Sequence, residues 1–480
     1  MASIKKNIFY SSILTISGYL FPLLTFPYVT RVLGVNNIGI CNFVDSIVQY
    51  FIYFSMMGMM TVGIREVART KGNKSLLSKT FSGLLTLNMI ATIIAIIVLL
   101  ICTLFIPQMY EYKNMFYVGA GKILANAFLI EWLFKGLEDF KYITARTIVI
   151  RSLYVIAVFI CVRNENDYLT YFALTSLMVV INAIVNILYS RRFVIYDFHD
   201  VNIRPYLKPF LILGIYSLLT SLYTTFNVAY LGFATNTVEV GYYTTATKLY
   251  SIIMSFYTAF TGVMMPRMST LLAEGEVEEF KRLSNKSVEA LLAFAIPLIV
   301  IAEVCAPHII NIIAGDGYEG SVLPMRIVMP LMLIIGYEQV LVLQMLSPMK
   351  KDSAILINSI IGASVALVMN VVLVGKYASI GTSIVWIASE LAVLASAQYF
   401  VFKYIGYRMP VKSFVLRILA MMPILIVCYE VERITNNGFI SLLCISLLSF
   451  AYCYCVEIFC FKNLLLVQNS KLLIEKLKKQ

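Results

Sequence analysis

Residues 80–105 read TFSGLLTLNMIATIIAIIVLLICTLF, a run of 26 without one charged side chain. An α-helix rises about 1.5 Å per residue, so ~20 apolar residues cross the roughly 30 Å hydrocarbon core of a bilayer. The run therefore reads as a membrane-spanning helix. Working outward, comparable blocks recur on both sides, and fourteen spans are expected. They fall at roughly 8–30, 38–62, 80–105, 115–134, 143–162, 168–190, 209–231, 239–265, 287–306, 322–346, 353–374, 380–402, 413–429 and 438–461. Breaks lie where Gly, Asn and charge cluster, as at 31–37 (RVLGVNN), 163–167 (RNEND) and 314–320 (AGDGYEG).

Composition agrees. Of 480 residues 60% are hydrophobic and 13% charged, with a mean hydropathy of +0.84, whereas an average soluble protein carries about 25% charge. A soluble enzyme, a disordered chain and a nucleic-acid binder are excluded, despite the net charge of +12. Two His and nine scattered Cys without a CxxC pair argue against a metal centre or a disulfide framework. Cys102, Cys305, Cys428 and Cys444 lie in apolar runs and read as small core hydrophobes.

Loop charge sets the orientation. With the N-terminus cytoplasmic, 28 of the 38 Lys and Arg fall on the cytoplasmic side and five on the other, and five lie inside spans. This is a strong positive-inside signal, and it places both termini in the cytoplasm. The first span lacks an A-x-A cleavage site and reads as a retained anchor. The tail after Lys462 is basic and amphipathic, suited to solvent or to the inner membrane surface.

No loop between spans exceeds about 21 residues, which leaves no room for a folded extramembrane domain. There is no GxxxxGK[ST] motif; the nearest glycine pair, Gly315 and Gly320, is followed by Ser321. Neither an enzymatic activity nor a cofactor is expected. What remains is a transporter whose working parts lie within the bilayer.

Two segments resemble each other: LGVNNIGICNFVDSIVQY at 33–50 and LGFATNTVEVGYYTTATKLY at 231–250. Each has Leu-Gly, a polar turn, a second Gly, and a charge six or seven residues on, Asp45 or Lys248. The offset near 200 residues fits six spans per half, hence a parallel repeat able to rock about a central cavity. The expected fold is an all-α polytopic membrane protein of about 14 transmembrane helices. It comprises two pseudo-repeated six-helix bundles, residues 1–205 and 206–405. Two further helices and a basic tail follow over 406–480.

Charge inside a bilayer costs at least ~2.5–3.5 kcal/mol at a helix centre, so it needs a partner, water or a function. Lys248 lies about 14 Å along its helix from the outer end, flanked at helical spacing by Thr244, Thr245, Ser251 and Ser255. Asp45 shares a face with Asn42, Gln49 and Tyr53; Arg151 with Thr147 and Tyr154; Lys122 with Asn126. The seventh span adds Tyr216, Thr220, Tyr223, Thr224 and Asn227. Either these charges pair with one another, Asp45 with Lys248 for instance, or they line a shared wet cavity. Lys122, Arg151, Lys248 and Arg326, with Arg31 at the outer mouth, outnumber Asp45 and Glu390, the acids placed well inside. That surplus suits an anionic, phosphate-bearing ligand. Asp45 and Glu390 are candidates for ion coupling. Glu131, Glu338 and Glu457 read as interfacial, Arg417 and Glu303 as snorkelling, and His308 as a helix-end residue. Tyr243 and Tyr250 are candidate sugar-stacking groups.

The segments PYVTRVLG (27–34), IEWLFKGLEDFKYITAR (130–146), VEVGYYTTATKLYS (238–251) and VMMPRMS (263–269) resemble the Wzx-type polysaccharide flippases. These belong to the multidrug/oligosaccharidyl-lipid/polysaccharide exporter superfamily. The resemblance implies flipping of undecaprenyl-diphosphate-linked O-antigen or capsule repeat units to the outer leaflet of a bacterial inner membrane. It further implies membrane lipids, a polysaccharide polymerase and a chain-length regulator as partners. Arg31 and Lys248 match basic positions of that family, while Trp132, Gly136, Glu138 and Arg146 match a stretch assigned to inner-gate structure. A peptidoglycan-precursor flippase and a drug/cation antiporter are the alternatives within the superfamily. A glycan polymerase would want a long outer loop, and a scaffold has no need of polar stripes.

Overall fold

The computed structural model describes residues 4–199, 201–222, 225–435 and 437–461. All regular structure among them is helical. The chain runs through α1 (Ile4–Met56), α2 (Met59–Thr70), α3 (Lys74–Phe105), α4 (Pro107–Glu111), α5 (Lys113–Ala127) and α6 (Glu131–Gly136). Next come α7 (Phe140–Cys161), α8 (Tyr168–Ser190), α9 (Arg204–Leu222), α10 (Phe226–Ala234), α11 (Thr237–Ala273) and α12 (Val277–Ala314). After α13 (Val322–Val328) and α14 (Leu331–Gln339) a π-helical segment covers Val340–Leu346. A second π-helical segment, Asn370–Val374, joins α15 (Asp352–Met369) to α16 (Gly375–Ile405). Among the described residues α17 (Val411–Met421), α18 (Pro423–Ile434) and α19 (Gly438–Phe459) follow.

Among the described residues twelve helical runs are long and apolar enough to cross a membrane. Two are far longer than one crossing. The run Ile13–Thr70 spans 58 residues and Asp352–Ile405 spans 54. Each contains a residue outside helical geometry, Gly34 (φ 72°) and Ala378 (φ 47°). The stretch 31–37, expected as a loop, is instead helix bent at Gly34, because only one residue there leaves the helical region. On α3 the outward face carries Ile90, Ile93, Ile94, Ile97, Ile101 and Leu104, all exposed. A stripe this apolar is a lipid-facing surface.

The chain forms two compact units. One comprises residues 1–245 with 314–317 and 362–386; the other comprises 246–313, 318–361 and 387–480. The basic tail lies outside the described residues.

The first unit packs around Trp132, fully buried among Phe81, Leu84, Phe134 and Phe210. Gly63 of α2 lies under the indole, where a Cβ would come within 2.7 Å of the ring. Gly136 does the same beneath Val67, at 2.6 Å. Small residues on α2 and α6 thus let the two helices close on each other. Lys71 donates to Glu138 at 2.9 Å, and this hydrogen bond with its charge holds the Glu138 carboxyl below the usual range. The two segments that resemble each other in sequence cross here. A Cβ on Gly39 would stand 1.7 Å from the Thr237 carbonyl oxygen, and one on Gly241 2.3 Å from that of Val35. Thr237 donates to Asn36 at 2.6 Å, and Asn42 to Thr244 at 3.0 Å.

In the second unit, Arg417 on α17 and Glu457 on α19 form an ion pair at 2.9 Å, with side chains 3% and 2% exposed. Neither reaches an interface as the sequence suggested. A partner one helix away is available, and pairing avoids the cost of an isolated buried charge. His308 stands 3.5 Å from Glu432. Cys305 and Cys428 are buried, whereas Cys102 and Cys444 are partly exposed.

Candidate functional site: a cavity at two broken helices

Two helices of the first unit lose their hydrogen-bond ladder at the same place. Helix α1 ends at Met56; Met57 is left-handed (φ 35°) and Gly58 hands the chain to α2. The Gly58 amide donates to the Phe210 carbonyl at 3.2 Å, and a Cβ at 58 would lie 2.8 Å from that oxygen. Helix α5 ends at Ala127, and Ile130 is left-handed (φ 38°) before α6 begins. Such non-glycine residues cost about 1–3 kcal/mol each, so the surroundings must hold them. Two fully buried amides do so at the second break. Asn88 donates to the Ala127 carbonyl at 3.3 Å, and Asn186 donates to that of Leu129.

Irregular backbone at membrane depth is tolerated where it is buried or lines a cavity. Here it lines one, of about 520 Å³, within the ~300–1,000 Å³ usual for ligand sites. Gln49 and Tyr53 come from α1, Asn126 from α5, Glu131 from α6, and Ser217, Thr220 and Ser221 from α9. Met56, Met57, Met60, Ile52 and Leu129 supply the apolar wall. Glu131 is not an interfacial acid as the sequence suggested. Arg146 donates to it at 2.9 Å and Lys135 lies 3.3 Å away. Arg146 is itself 4% exposed and bonded to Asn186 and Thr147.

One turn along the same helices from Gln49 and Asn126 stand Asp45 and Lys122, which pair with each other at 2.5 Å. The lysine is 11% exposed and the aspartate 44%. Their relation is the expected mutual pairing with a different lysine: Asp45 meets Lys122, 77 residues away in sequence. Arg151 on α7 donates to Ser17 Oγ at 2.6 Å and lies beside Gly18. Its bonded partners are neutral oxygens, Ser17 and the Leu14 carbonyl. Arg31 is exposed, donates to the Pro27 carbonyl at 2.7 Å and packs over Gly315.

The remaining candidates belong to the second unit. Lys248 is partly exposed on α11. Arg326 donates to the Glu303 carbonyl at 2.8 Å. Glu390 is 3% exposed, and Glu338 is partly exposed. Tyr250, 5% exposed, neighbours both acids. Tyr243, in the first unit, is 2% exposed. Of the polar stripe on the seventh span, Thr220 lines the cavity and Asn227 accepts from Asn370 at 2.8 Å. Tyr223 and Thr224 lie outside the described residues.

Residues 4–272 match the model of the polysaccharide biosynthesis protein family. The chain belongs to that family. Two relatives named "Putative O-antigen transporter" align along most of the chain. The one from Escherichia coli (strain K12) is 26% identical over 405 residues, covering 83% of this chain and 97% of the relative. The one from Shigella dysenteriae is 24% identical over 397 residues, covering 81% and 98%. Among solved structures, the lipid II flippase MurJ in an inward closed conformation superposes with a TM-score of 0.72. It is 14% identical and the match covers 92% of this chain and 98% of that one. An outward-facing multidrug resistance MATE family transporter of the MOP superfamily gives 0.57 at 15% identity, covering 84% and 96%. The fold is the one these two share. The protein is a multi-pass membrane transporter of the polysaccharide-biosynthesis, O-antigen type, and its relatives are named as transporters, not enzymes.

Proposed function

We propose that this protein flips undecaprenyl-diphosphate-linked oligosaccharide repeat units from the cytoplasmic to the outer leaflet of a bacterial inner membrane, by alternating access. The cavity at the two helix breaks carries this reading. A transporter needs a hydrophilic chamber at membrane depth, and polar groups from four helices converge there. In this reading Ile13–Thr70 and Asp352–Ile405 each cross the membrane twice, bending at Gly34 and Ala378. That makes fourteen crossings with both termini cytoplasmic, as two six-helix bundles and two trailing helices. Trp132, Gly136 and Glu138 brace the inner gate by holding α2 against α6, and Arg146 does so by tying Glu131 of α6 to Asn186 of α8.

Lys122, Arg151, Lys248 and Arg326, with Arg31 at the mouth, attract the diphosphate. Asp45 releases Lys122 when phosphate arrives, an exchange of one anionic partner for another. Asp45 and Glu390, the acids placed well inside their spans, carry the coupling ion. A polysaccharide polymerase and a chain-length regulator receive the flipped unit.

The test replaces Lys122, Arg151 and Lys248 by Ala in cells that lack the native protein. Surface glycan should fall steeply while lipid-linked oligosaccharide accumulates on the inner leaflet. Export at full rate with stable protein in the membrane removes the headgroup role.

A further inference from the structure

The lining of the first unit's cavity separates two jobs. The sequence put headgroup binding on cations and offered only Tyr243 and Tyr250 for sugar, yet neither tyrosine and no Lys or Arg lines this space among the described residues. Its one carboxylate, Glu131, is already held by Arg146 and Lys135. A diphosphate placed there would lose its water without gaining a cation, a cost of several kcal/mol per charge. A prenyl chain would bury the Gln49 and Asn126 amides without hydrogen bonds, which is also unfavourable; the Ser217, Thr220 and Ser221 hydroxyls already donate to carbonyls of their own helix and keep lone pairs to accept. An uncharged sugar avoids both penalties. Amides donate and accept, hydroxyls do either, and a sugar ring presents hydroxyls at its edge and C–H groups on its faces. Met56, Met57 and Met60 offer deformable apolar surface to those faces.

We infer that this cavity is a subsite for the neutral sugar portion of the cargo, read by Gln49, Asn126 and Thr220, and distinct from the cations that attract the diphosphate. The inference rests on the flippase reading above and adds which part of the cargo sits where.

The test is equilibrium binding to the full chain in lipid nanodiscs with two probes. One is undecaprenyl diphosphate alone; the other is the prenyl-diphosphate-linked oligosaccharide fraction extracted from cells depleted of this protein. The oligosaccharide-bearing lipid should bind roughly tenfold more tightly, the worth of two or three neutral hydrogen bonds. Replacing both amides (Gln49→Leu with Asn126→Leu) should bring that ratio close to one. Thr220→Val, nearly isosteric, should reduce it by a few-fold and serves if the double variant does not fold. A wild-type ratio near one, or a ratio undiminished in folded variants, overturns the sugar subsite while leaving the flippase reading standing. Failure of both probes to bind wild-type protein overturns the flippase reading itself.

Discussion

Gly39 and Thr237 approach so closely that a methyl group on residue 39 would stand 1.7 Å from the Thr237 carbonyl oxygen. The contact is reciprocated by Gly241 and the Val35 carbonyl. Both belong to the two segments whose sequences resemble each other. Helix α1 and the start of α11 therefore cross backbone to backbone at a point that admits no side chain. Gly39→Ala and Gly241→Ala should each destabilise the fold by at least about 1–3 kcal/mol, because rigid main chain and not a side-chain tip must give way. Gly262→Ala is the control: nothing lies within 4 Å of its Cβ position, and Ala favours helix. Thermal unfolding in nanodiscs checks all three, and an unchanged midpoint for Gly39→Ala contradicts the crossing.

The Asp45–Lys122 pair predicts an asymmetry. Lys122 is nearly buried while Asp45 is close to half exposed. Removing the aspartate strands a charge, whereas removing the lysine leaves a carboxylate that water still reaches. Asp45→Ala should therefore cost more stability than Lys122→Met, by ~1–2 kcal/mol after allowance for exposure. The double variant should fall nearer to Lys122→Met than to Asp45→Ala. A double-mutant cycle on unfolding free energies checks this, and a zero coupling term contradicts the pairing.

Arg417 and Glu457 lie deeper, so their separation should be more severe. Arg417→Met or Glu457→Met alone should cost about 3–5 kcal/mol, because the remaining partner is left buried and uncompensated. The pair of substitutions together should restore most of that loss. Thermal unfolding and the yield of membrane-inserted protein report the effect. Equal losses from one and from both substitutions contradict the account.

That the chain crosses the membrane many times was legible in the sequence because crossing a bilayer demands long apolar runs, and no tertiary contact alters that demand. The helix breaks were not. The second falls at Phe128, Leu129 and Ile130, which contain neither Gly nor Pro, and depends on Asn88 and Asn186 reaching carbonyls 39 and 57 residues away. A lone Asn in an apolar run was the available signal. Glu131 was misjudged for a related reason. Position near a helix end suggests an interface, but whether a side chain finds water or a partner is decided by neighbours on other helices. Helical spacing did place Asp45 with Gln49 and Lys122 with Asn126. What spacing within one helix cannot give is which lysine Asp45 meets.

The central claim is transport of a glycan lipid from one leaflet to the other, and a leaflet assay reads it directly. The lipid-linked oligosaccharide fraction is reconstituted with the purified protein into sealed vesicles, and the sugars accessible to an external glycosidase are followed with time. The account predicts that wild-type protein brings the protected inner-leaflet pool within reach at a rate well above empty vesicles, and that Lys122→Ala slows it. A protected pool that stays as inaccessible as in empty vesicles, with folded protein and a pH gradient of either sign, contradicts the account.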